Sequence, residues 1–227
     1  IINITGLGIG ICSCLLIALF VKDELTFDRF HWKADRIYRA YAIEDWGDDQ
    51  RFIDMTTPFP LGPALNENLH EVELMVRINH IGTQVKTASD LFSEQLTIAG
   101  VDFLKMFDFE LVKGQRENIF SQQSALVLTE ETAKRFFGNT DPLGKSLSLS
   151  LGDQMQDFTV RGVLKDPPMN SSIRFSMVIS ELNYPKLYSE RLLTSAWFNI
   201  TPETYVQLKE GATPEFVSEK FPAIFKP

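Results

Sequence analysis

Cysteine is nearly absent from this 227-residue chain, and the little there is lies close to the start. Cys12 and Cys14 are the two cysteines, and both fall within residues 1–21. Two residues apart on a helix, their side chains point in different directions and cannot form a bridge. The sequence after residue 21 therefore has no disulfide, and its fold must be stabilised by a hydrophobic core of its own.

Basic residues are outnumbered by acidic ones. The chain has 22 Lys and Arg against 30 Asp and Glu, which gives a net charge of −8 and a pI near 5.0. Binding to phosphate backbones needs a basic face, so this balance argues against nucleic acid as a partner. The hydrophobic share of 44% and charged share of 23% are typical of a packed globule and exclude a disordered or collagen-like chain.

Charge of either sign is missing from residues 1–21. About 20 helical residues cross a hydrocarbon core of about 30 Å, so this run predicts a transmembrane helix over residues 1–21. A signal peptide would have a charged start, a shorter apolar region and a small-residue cleavage site. A lipoprotein site at Cys12 or Cys14 is excluded because the apolar run continues past both. The chain begins without Met, which indicates a fragment of a longer protein, and mixed charges after the run leave the orientation undecided.

Small side chains recur at every fourth position of the apolar run. They are Gly6, Gly10, Cys14 and Ala18, which we call the small-residue stripe. Helices in lipid associate through close packing, and small residues let two backbones approach each other. The stripe therefore predicts a helix-packing contact, although glycine and alanine are also simply common in membrane helices.

The elements predicted after the apolar run indicate an α+β fold. Residues 22–36 are charged with apolar residues at helical spacing, and they predict a stalk helix that continues from the membrane. Residues 130–137 predict a helix that Thr129 caps and Gly138 ends. Further helices are predicted around residues 61–69 and over 214–224. Strands are predicted over residues 38–45, 50–55, 72–79, 84–88, 95–101, 125–128, 146–151, 158–164, 173–179 and 203–209.

Catalytic, cofactor-binding and metal-binding patterns are missing from the sequence. The stretch from Gly138 to Ser146 resembles a phosphate-binding loop, but it has five residues between its glycines and contains a proline. The three histidines, His31, His70 and His80, are too far apart in sequence to form a metal motif. His70 lies beside acidic residues, but a solvated surface explains that group better. The sequence predicts no catalytic residue, no cofactor site and no metal site.

Several longer motifs together resemble a known family. The run INITGLGIGICSCLLIALFVKDELTFDRFHWKADRIYRAY at residues 2–41 is similar to the first transmembrane helix and stalk of MacB/FtsX-type ABC transporter permeases. Its segments DELTFDRFH and ADRIYR are typical of a branch common in Bacteroidetes. Further matches are VLTEETAKRFFG at 127–138, DPLGKSL at 141–147 and FTVRGVLKDPPMNSSIRF at 158–175. The order and spacing of these motifs carry the resemblance over nearly the whole chain.

The resemblance implies a MacB-like periplasmic core domain that follows the first of four transmembrane helices. It implies a porter-like α/β lobe over residues 37–107 and 182–227, with a mostly-β lobe inserted at 108–181. It implies location in the bacterial inner membrane with the large domain in the periplasm. It also implies a cytoplasmic ABC ATPase as partner, a second permease copy in a dimer, and a periplasmic adaptor or lipoprotein. The chain would not itself be an enzyme, and it would transmit conformational change for export or lipoprotein release.

Two other classes of protein stay open at this point. A ligand-sensing ectodomain of a membrane receptor would also have a single stalk and an α/β module, and a pocket of convergent polar groups would favour it. A membrane-anchored hydrolase would require a nucleophile and a base brought together by the fold.

Overall fold

A computed structural model describes residues 2–45, 47, 51–87 and 90–224 of the chain. The α-helices are α1 (Ile2–Thr26), α2 (Leu61–Asn68), α3 (Phe103–Met106), α4 (Glu130–Phe137), α5 (Tyr184–Leu187), α6 (Glu190–Thr194), α7 (Pro214–Ser218) and α8 (Phe221–Ile224). The strands are β1 (Ile37–Arg39), β2 (Ala42–Asp45), β3 (Arg51–Asp54), β4 (Val72–Lys86), β5 (Leu91–Ala99), β6 (Leu111–Gly114), β7 (Ala125–Thr129), β8 (Ser146–Leu151), β9 (Gln154–Leu164), β10 (Met177–Ser180) and β11 (Glu203–Leu208). Short 3-10 helices cover Ala34–Arg36, Ile119–Ser121 and Glu181–Asn183.

Helix α1 ends earlier than the sequence predicts. The predicted stalk helix over residues 22–36 is helical only as far as Thr26. Two residues later Asp28 has a φ of 56°, a left-handed conformation in which an α-helix cannot continue. The chain then runs through turns and the 3-10 helix Ala34–Arg36 before it enters β1. The segment between membrane helix and sheet is therefore a folded turn rather than a straight stalk.

Most of the strands described form one nine-stranded sheet with the order β1-β11-β4-β5-β10-β7-β9-β6, and β8 pairs with both β4 and β9. The pairs β5–β10 and β7–β9 are parallel, and the other pairs are antiparallel. Strands β2 and β3 form a separate antiparallel hairpin, with Ile43 opposite Ile53. The helices lie over a mostly antiparallel sheet, which is the α+β class that the sequence predicts.

The two lobes predicted from the family resemblance share this sheet. Strands β6 to β10, from residues 108–181, occupy one half of it, and β1, β4, β5 and β11 occupy the other. The halves are joined where Val178 of β10 pairs with Thr97 of β5, and again where β8 pairs with β4. One buried cluster also combines Phe59 and Val85 from the first half with Leu126 and Phe158 from the second. The boundaries of the two lobes stay a prediction.

Both faces of the sheet are covered around its centre. In β10, Met177 and Ile179 pack into the core that lies under α4 to α6, whereas Val178 packs into a second core with Phe103 and Phe107. A third cluster lies against α2, α7 and α8. A strand that is buried on both faces has a nearly continuous run of apolar residues. The fully buried β7 has such a run.

Several local predictions are confirmed, and others are wrong in an informative way. The helix over 130–137 is confirmed as α4, with the Thr129 hydroxyl accepting a hydrogen bond from the Thr132 amide and Gly138 at its end. The strands predicted over 72–79 and 84–88 form a single strand, β4, which ends at Lys86, while Ala88 lies outside the described residues. The last predicted helix is divided into α7 and α8.

Candidate functional site at the junction of α1 with the domain

Helix α1 has the length and composition of a membrane span. Residues 4–26 of α1 form a candidate span of 23 residues whose apolar 18-residue window has a mean hydropathy of 2.5, and none of that window is buried against the rest of the chain. A core helix of this length in a water-soluble domain would bury its apolar side chains. The side chains of α1 thus require an apolar surrounding that the domain does not provide.

The segment that links α1 to β1 is a compact turn, which we call the connector (residues 27–36). Several of its backbone amides donate to carbonyls three residues earlier: that of Arg29 to Thr26, that of His31 to Asp28, and that of Ala34 to His31. These bonds between neighbours three residues apart fold the connector back on itself. The end of α1 is thereby held close to the domain.

The first attachment of the connector is to the loop before β10. The side-chain amide of Asn170 donates to the carbonyl of Thr26 at 2.9 Å, and the amide of Asp28 donates to the carbonyl of Asn170 at 2.8 Å. The carboxylate of Asp28 accepts from the amide of Ser172 at 2.8 Å. The last carbonyls of a helix have no partners within it. At Thr26 the partner comes from the domain, so the end of α1 is bonded directly to it.

The second attachment is a buried histidine. The ring of His31 is 5% exposed and lies among Phe30, Phe107 and Phe109, with centroid distances of 4.0, 5.3 and 5.2 Å. We call the group formed by these four residues with Phe103 and Phe175 the aromatic cluster; Phe109 packs at 4.8 Å from Phe175 and 5.5 Å from Phe103. Phe109 meets His31 and Phe175 edge to face and stacks on Phe103. Aromatic pairs in these arrangements add about 0.5–1.5 kcal/mol to the apolar burial.

Asp108 fixes the position of His31 through its backbone and its side chain. The amide of Asp108 donates to Nδ1 of His31 at 3.0 Å, and its carboxylate accepts from the amide of Trp32 at 2.8 Å. Burial lowers the pKa of His31, and the nearby carboxylates of Asp108 and Asp28 oppose this only in part. An Nδ1 that accepts a hydrogen bond carries no proton, so His31 is neutral in this arrangement.

The third attachment brings the connector to the sheet. Nη1 of Arg36 donates to the carbonyl of Leu208 at 3.1 Å and to the carboxylate of Glu73 at 3.1 Å. Lys33 also lies 3.6 Å from Glu73. The next residue, Ile37, begins β1 and pairs with Gln207 of β11. The connector is thus attached to three separate parts of the domain within ten residues.

An ion pair joins the two halves of the sheet. Both Nε and Nη2 of Arg77 in β4 donate to one carboxylate oxygen of Glu181, at 3.0 and 2.6 Å. The side chains are 13% and 14% exposed, and the guanidinium also lies over the rings of Phe59 and Tyr184. Glu181 follows β10 directly. The pair therefore connects β4 to the end of the strand that joins the two halves.

The predicted helix-packing residues lie away from the junction. Gly6, Gly10, Cys14 and Ala18 are all exposed along α1, and a Cβ atom added at either glycine would meet nothing within 4 Å. The helix contact that they predict stays a prediction. The sequence analysis missed the pairing of His31 with Asp108, although both residues are flanked by phenylalanine, a signal of partial burial for a polar side chain.

The stretch that resembles a phosphate-binding loop folds as a turn from α4 to β8. The amide of Gly144 donates to the carbonyl of Val160 and that of Lys145 to Pro142, so these amides face the protein. Among the residues that the structure describes, no group of three or more His, Cys, Asp or Glu side chains could hold a metal ion.

An exposed apolar helix bonded at its end to an α+β body defines a membrane-anchored domain. A family model described as the MacB-like periplasmic core domain matches residues 1–224. The chain belongs to this family of ABC transporter permease components, which confirms the resemblance stated above.

Solved structures support the same fold. A domain of a Porphyromonas gingivalis protein described as a permease is 26% identical, with a TM-score of 0.70 over 86% of this chain and 81% of that chain. The periplasmic region of MacB from Actinobacillus actinomycetemcomitans is 15% identical, with a TM-score of 0.53 over 84% of this chain and 81% of that chain, and it supports the fold alone. No curated protein matches the chain. The family is a transporter component rather than a catalytic enzyme.

Proposed function

We propose that this chain transmits conformational change between a cytoplasmic ATPase and the periplasmic side of an ABC transporter permease. The observation that carries this is the three-point attachment of the connector. A flexible stalk would let α1 move without moving the domain. A connector bonded to the loop before β10, to the aromatic cluster and to β11 passes a displacement of the helix to the sheet.

The assembly that we propose for this chain is the one that the family resemblance implies. The permease lies in the bacterial inner membrane with this domain in the periplasm, and it works as a dimer with a cytoplasmic ABC ATPase. The conformational change drives export or lipoprotein release, with a periplasmic adaptor or lipoprotein as the further partner. The support for an ATPase partner is the family match over residues 1–224.

We also propose that the small-residue stripe of α1 contacts another transmembrane helix of this assembly. Support comes from its regular spacing and from the space around Gly6 and Gly10. Packing in lipid depends on such close approach because lipid tails are as apolar as the side chains they replace.

The alternative of a ligand sensor gains no specific support in the described residues. The hollow lined by His70, Glu71, Lys209 and Phe216 is an open depression at the surface. Its Glu71 carboxylate is already paired with Lys220. A sensor site would instead bring unpaired polar groups together around an enclosed volume.

Removing side-chain hydrogen bonds between the end of α1 and the domain tests the proposed coupling. In the full-length permease with its ATPase in nanodiscs, a spin label at Ser93→Cys, in a background without Cys12 and Cys14, reports the distance between the two copies. ATP should shift this distance in the otherwise unaltered protein. The double variant Asp28→Ala/Asn170→Ala should reduce the shift and retain ATP hydrolysis, because it removes the side-chain bonds of the first of the three attachments.

A matched control uses the same two changes elsewhere. Asn68 donates to a carbonyl of α2 as Asn170 does to α1, and Asp54 accepts from a backbone amide as Asp28 does. Asp54→Ala/Asn68→Ala should therefore keep the ATP-dependent shift. A shift of full size in Asp28→Ala/Asn170→Ala, or the absence of a shift in the unaltered protein, would overturn the proposal.

A further inference from the structure

Two large apolar side chains at the junction make little contact with the protein. Trp32 is 92% exposed and Met169 is 85% exposed. Tryptophan has a large apolar surface and is highly buried on average in folded domains. An exposure of this size means that something outside the described chain covers the ring, or that the ring stays in water at a cost in free energy.

Both side chains belong to segments that are bonded to the same end of α1. Trp32 lies in the connector, and its amide donates to the Asp108 carboxylate. Met169 precedes Asn170, the residue whose side chain donates to the carbonyl of Thr26. The fold thus brings two exposed apolar residues, far apart in sequence, next to the point where α1 leaves the bilayer.

The position of the charges along α1 indicates how far the end of the helix lies from the edge of the hydrocarbon core. The uncharged run ends at Val21, and Lys22, Asp23 and Glu24 follow it. Five helical residues, 22–26, rise about 7.5 Å above the hydrocarbon at about 1.5 Å per residue. A bilayer of about 40–45 Å with a core of about 30 Å leaves a headgroup layer of about 5–8 Å on each side. The end of α1 therefore lies at the outer part of the headgroup layer.

We propose that Trp32 and Met169 insert into the headgroup layer of the leaflet from which α1 emerges, so that the domain rests on the membrane. Tryptophan is enriched at this depth because its ring is apolar while its N–H can still find a polar partner. The membrane is the occupant that the structure favours because the segments that carry both side chains are bonded to the end of the membrane span. This proposal rests on α1 crossing the bilayer and is independent of the coupling function.

Tryptophan fluorescence in vesicles with brominated acyl chains tests the insertion. The full chain, carrying Trp46→Phe and Trp197→Phe so that Trp32 is the single tryptophan, is placed in vesicles of phosphatidylcholine and phosphatidylglycerol. We expect a blue-shifted emission, with a greater loss of emission when the bromines lie near the headgroup than near the chain end. Trp197 packs against a core cluster, so its replacement perturbs that packing. The difference in emission between the unaltered chain and Trp32→Phe measures the emission of Trp32 without replacing Trp46 or Trp197.

Three further variants make the result decisive. Phe198 is 98% exposed and precedes β11 at the end away from the connector, so a single tryptophan introduced there by Phe198→Trp should be quenched by soluble acrylamide and not by brominated lipid. Ile11→Trp, at the middle of the uncharged run, should be quenched by deep bromines, which confirms the span separately. Met169→Asp should make Trp32 shallower, whereas Met155→Asp, an exposed methionine in β9, should leave its depth unchanged.

Two outcomes would overturn the proposal. One is that lipid bromines do not quench Trp32 while they do quench the tryptophan of Ile11→Trp. The other is that Trp32 is protected from acrylamide without any lipid quenching, which would mean that a second copy or another protein covers it. Neither outcome affects the proposed coupling through the connector.

Discussion

The backbone amide of Asp108 donates a 3.0 Å hydrogen bond to Nδ1 of His31, a residue that lies 77 positions earlier in the chain. This bond joins the connector to the segment that follows α3, and it leaves the imidazole neutral within the aromatic cluster. The Nε2 atom of His31 is buried and has no hydrogen-bond partner in the described part of the structure. Protonation of this ring would place a charge among phenylalanine rings, so the junction is sensitive to acid.

The stability of the protein should fall as the pH is lowered below about 6.5, the ordinary pKa of histidine. Burial lowers the pKa of His31 and of His80, so the unfolded chain takes up protons before the folded one does. The stabilising effect is complete above about pH 6.5 and decreases as the pH falls towards the lowered values. Melting temperatures of the full chain in detergent, measured between about pH 5 and pH 8, check this.

Histidine variants separate the two contributions. His31→Gln should flatten the pH dependence in part, and His31→Gln/His80→Gln should flatten it further. His70→Gln, at an exposed position, is the matched control and should keep the original slope. An unchanged slope in His31→Gln would contradict the assignment to the buried ring.

Removing one partner of the Arg77–Glu181 pair should destabilise the protein by about 3 kcal/mol, because a mostly buried carboxylate loses its partner. Arg77→Met tests this by chemical denaturation of the full chain in detergent. The double variant Arg77→Met/Glu181→Leu should recover most of the loss, since no unpaired charge then remains. Lys165→Met, in the exposed pair with Glu110, should destabilise the protein much less. Equal losses for the two single variants would refute the role of burial.

Gly114→Ala should destabilise the second half of the sheet. Gly114 has a φ of 102°, and an added Cβ would lie 2.3 Å from the carbonyl oxygen of Arg161. Backbone strain of this kind costs about 1–3 kcal/mol before the clash is included. Gly82→Ala is the control: it lies within β4 with nothing near its Cβ position, and it should be neutral or stabilise by about 0.5–1 kcal/mol. The melting temperatures of both variants check this prediction, and we expect a lower value only for Gly114→Ala. Similar melting temperatures for the two variants would count against it.

Gly10→Leu should weaken the assembly of the permease in the membrane. If the small-residue stripe contacts another helix, a leucine at this position separates the two backbones, with a cost of about 1–3 kcal/mol. Gly8→Leu makes the same change on a different side of α1, so it should assemble normally. The measurement is recovery of the dimer from detergent at equal membrane expression. Equal recovery of the two variants would show that the stripe is no contact surface.

Elements defined by neighbouring residues were predictable from the sequence. Thr129 and Gly138 lie at the two ends of α4, and the structure confirms both. The hairpin of β8 and β9 turns at Gly152, whose φ of 59° suits glycine, as its sequence indicates. In each case the capping or turn residue acts on backbone within a few positions of itself, so the information is local.

Elements that depend on distant partners were not predictable. The end of α1 at Thr26 depends on two residues that lie far from it in the sequence. Asn170 donates to the carbonyl of Thr26 and accepts from the amide of Asp28, and the amide of Ser172 donates to the carboxylate of Asp28. The predicted gap in β4 around Gly82 is closed because β5 pairs with it from Ile78 to Lys86. Glycine weakens an isolated strand, but a continuous ladder of backbone bonds outweighs this local preference. The junction could be located only after these contacts were known.

The length of β4 determines how far a movement of the connector would reach. Arg36 binds at the end of the sheet where β4 begins, and the strand continues for 15 residues to the pair of Lys86 and Leu91. At about 3.4 Å per residue this is an arm of about 48 Å, so a tilt of about 10° at the connector would carry its far end by about 8 Å. Because β8 is bonded to β4, and β10 to its hairpin partner β5, the second half of the sheet would turn with it. In the proposed coupling, the hairpin of β4 and β5 would convert a small rotation at the connector into a larger displacement of the far end of the hairpin.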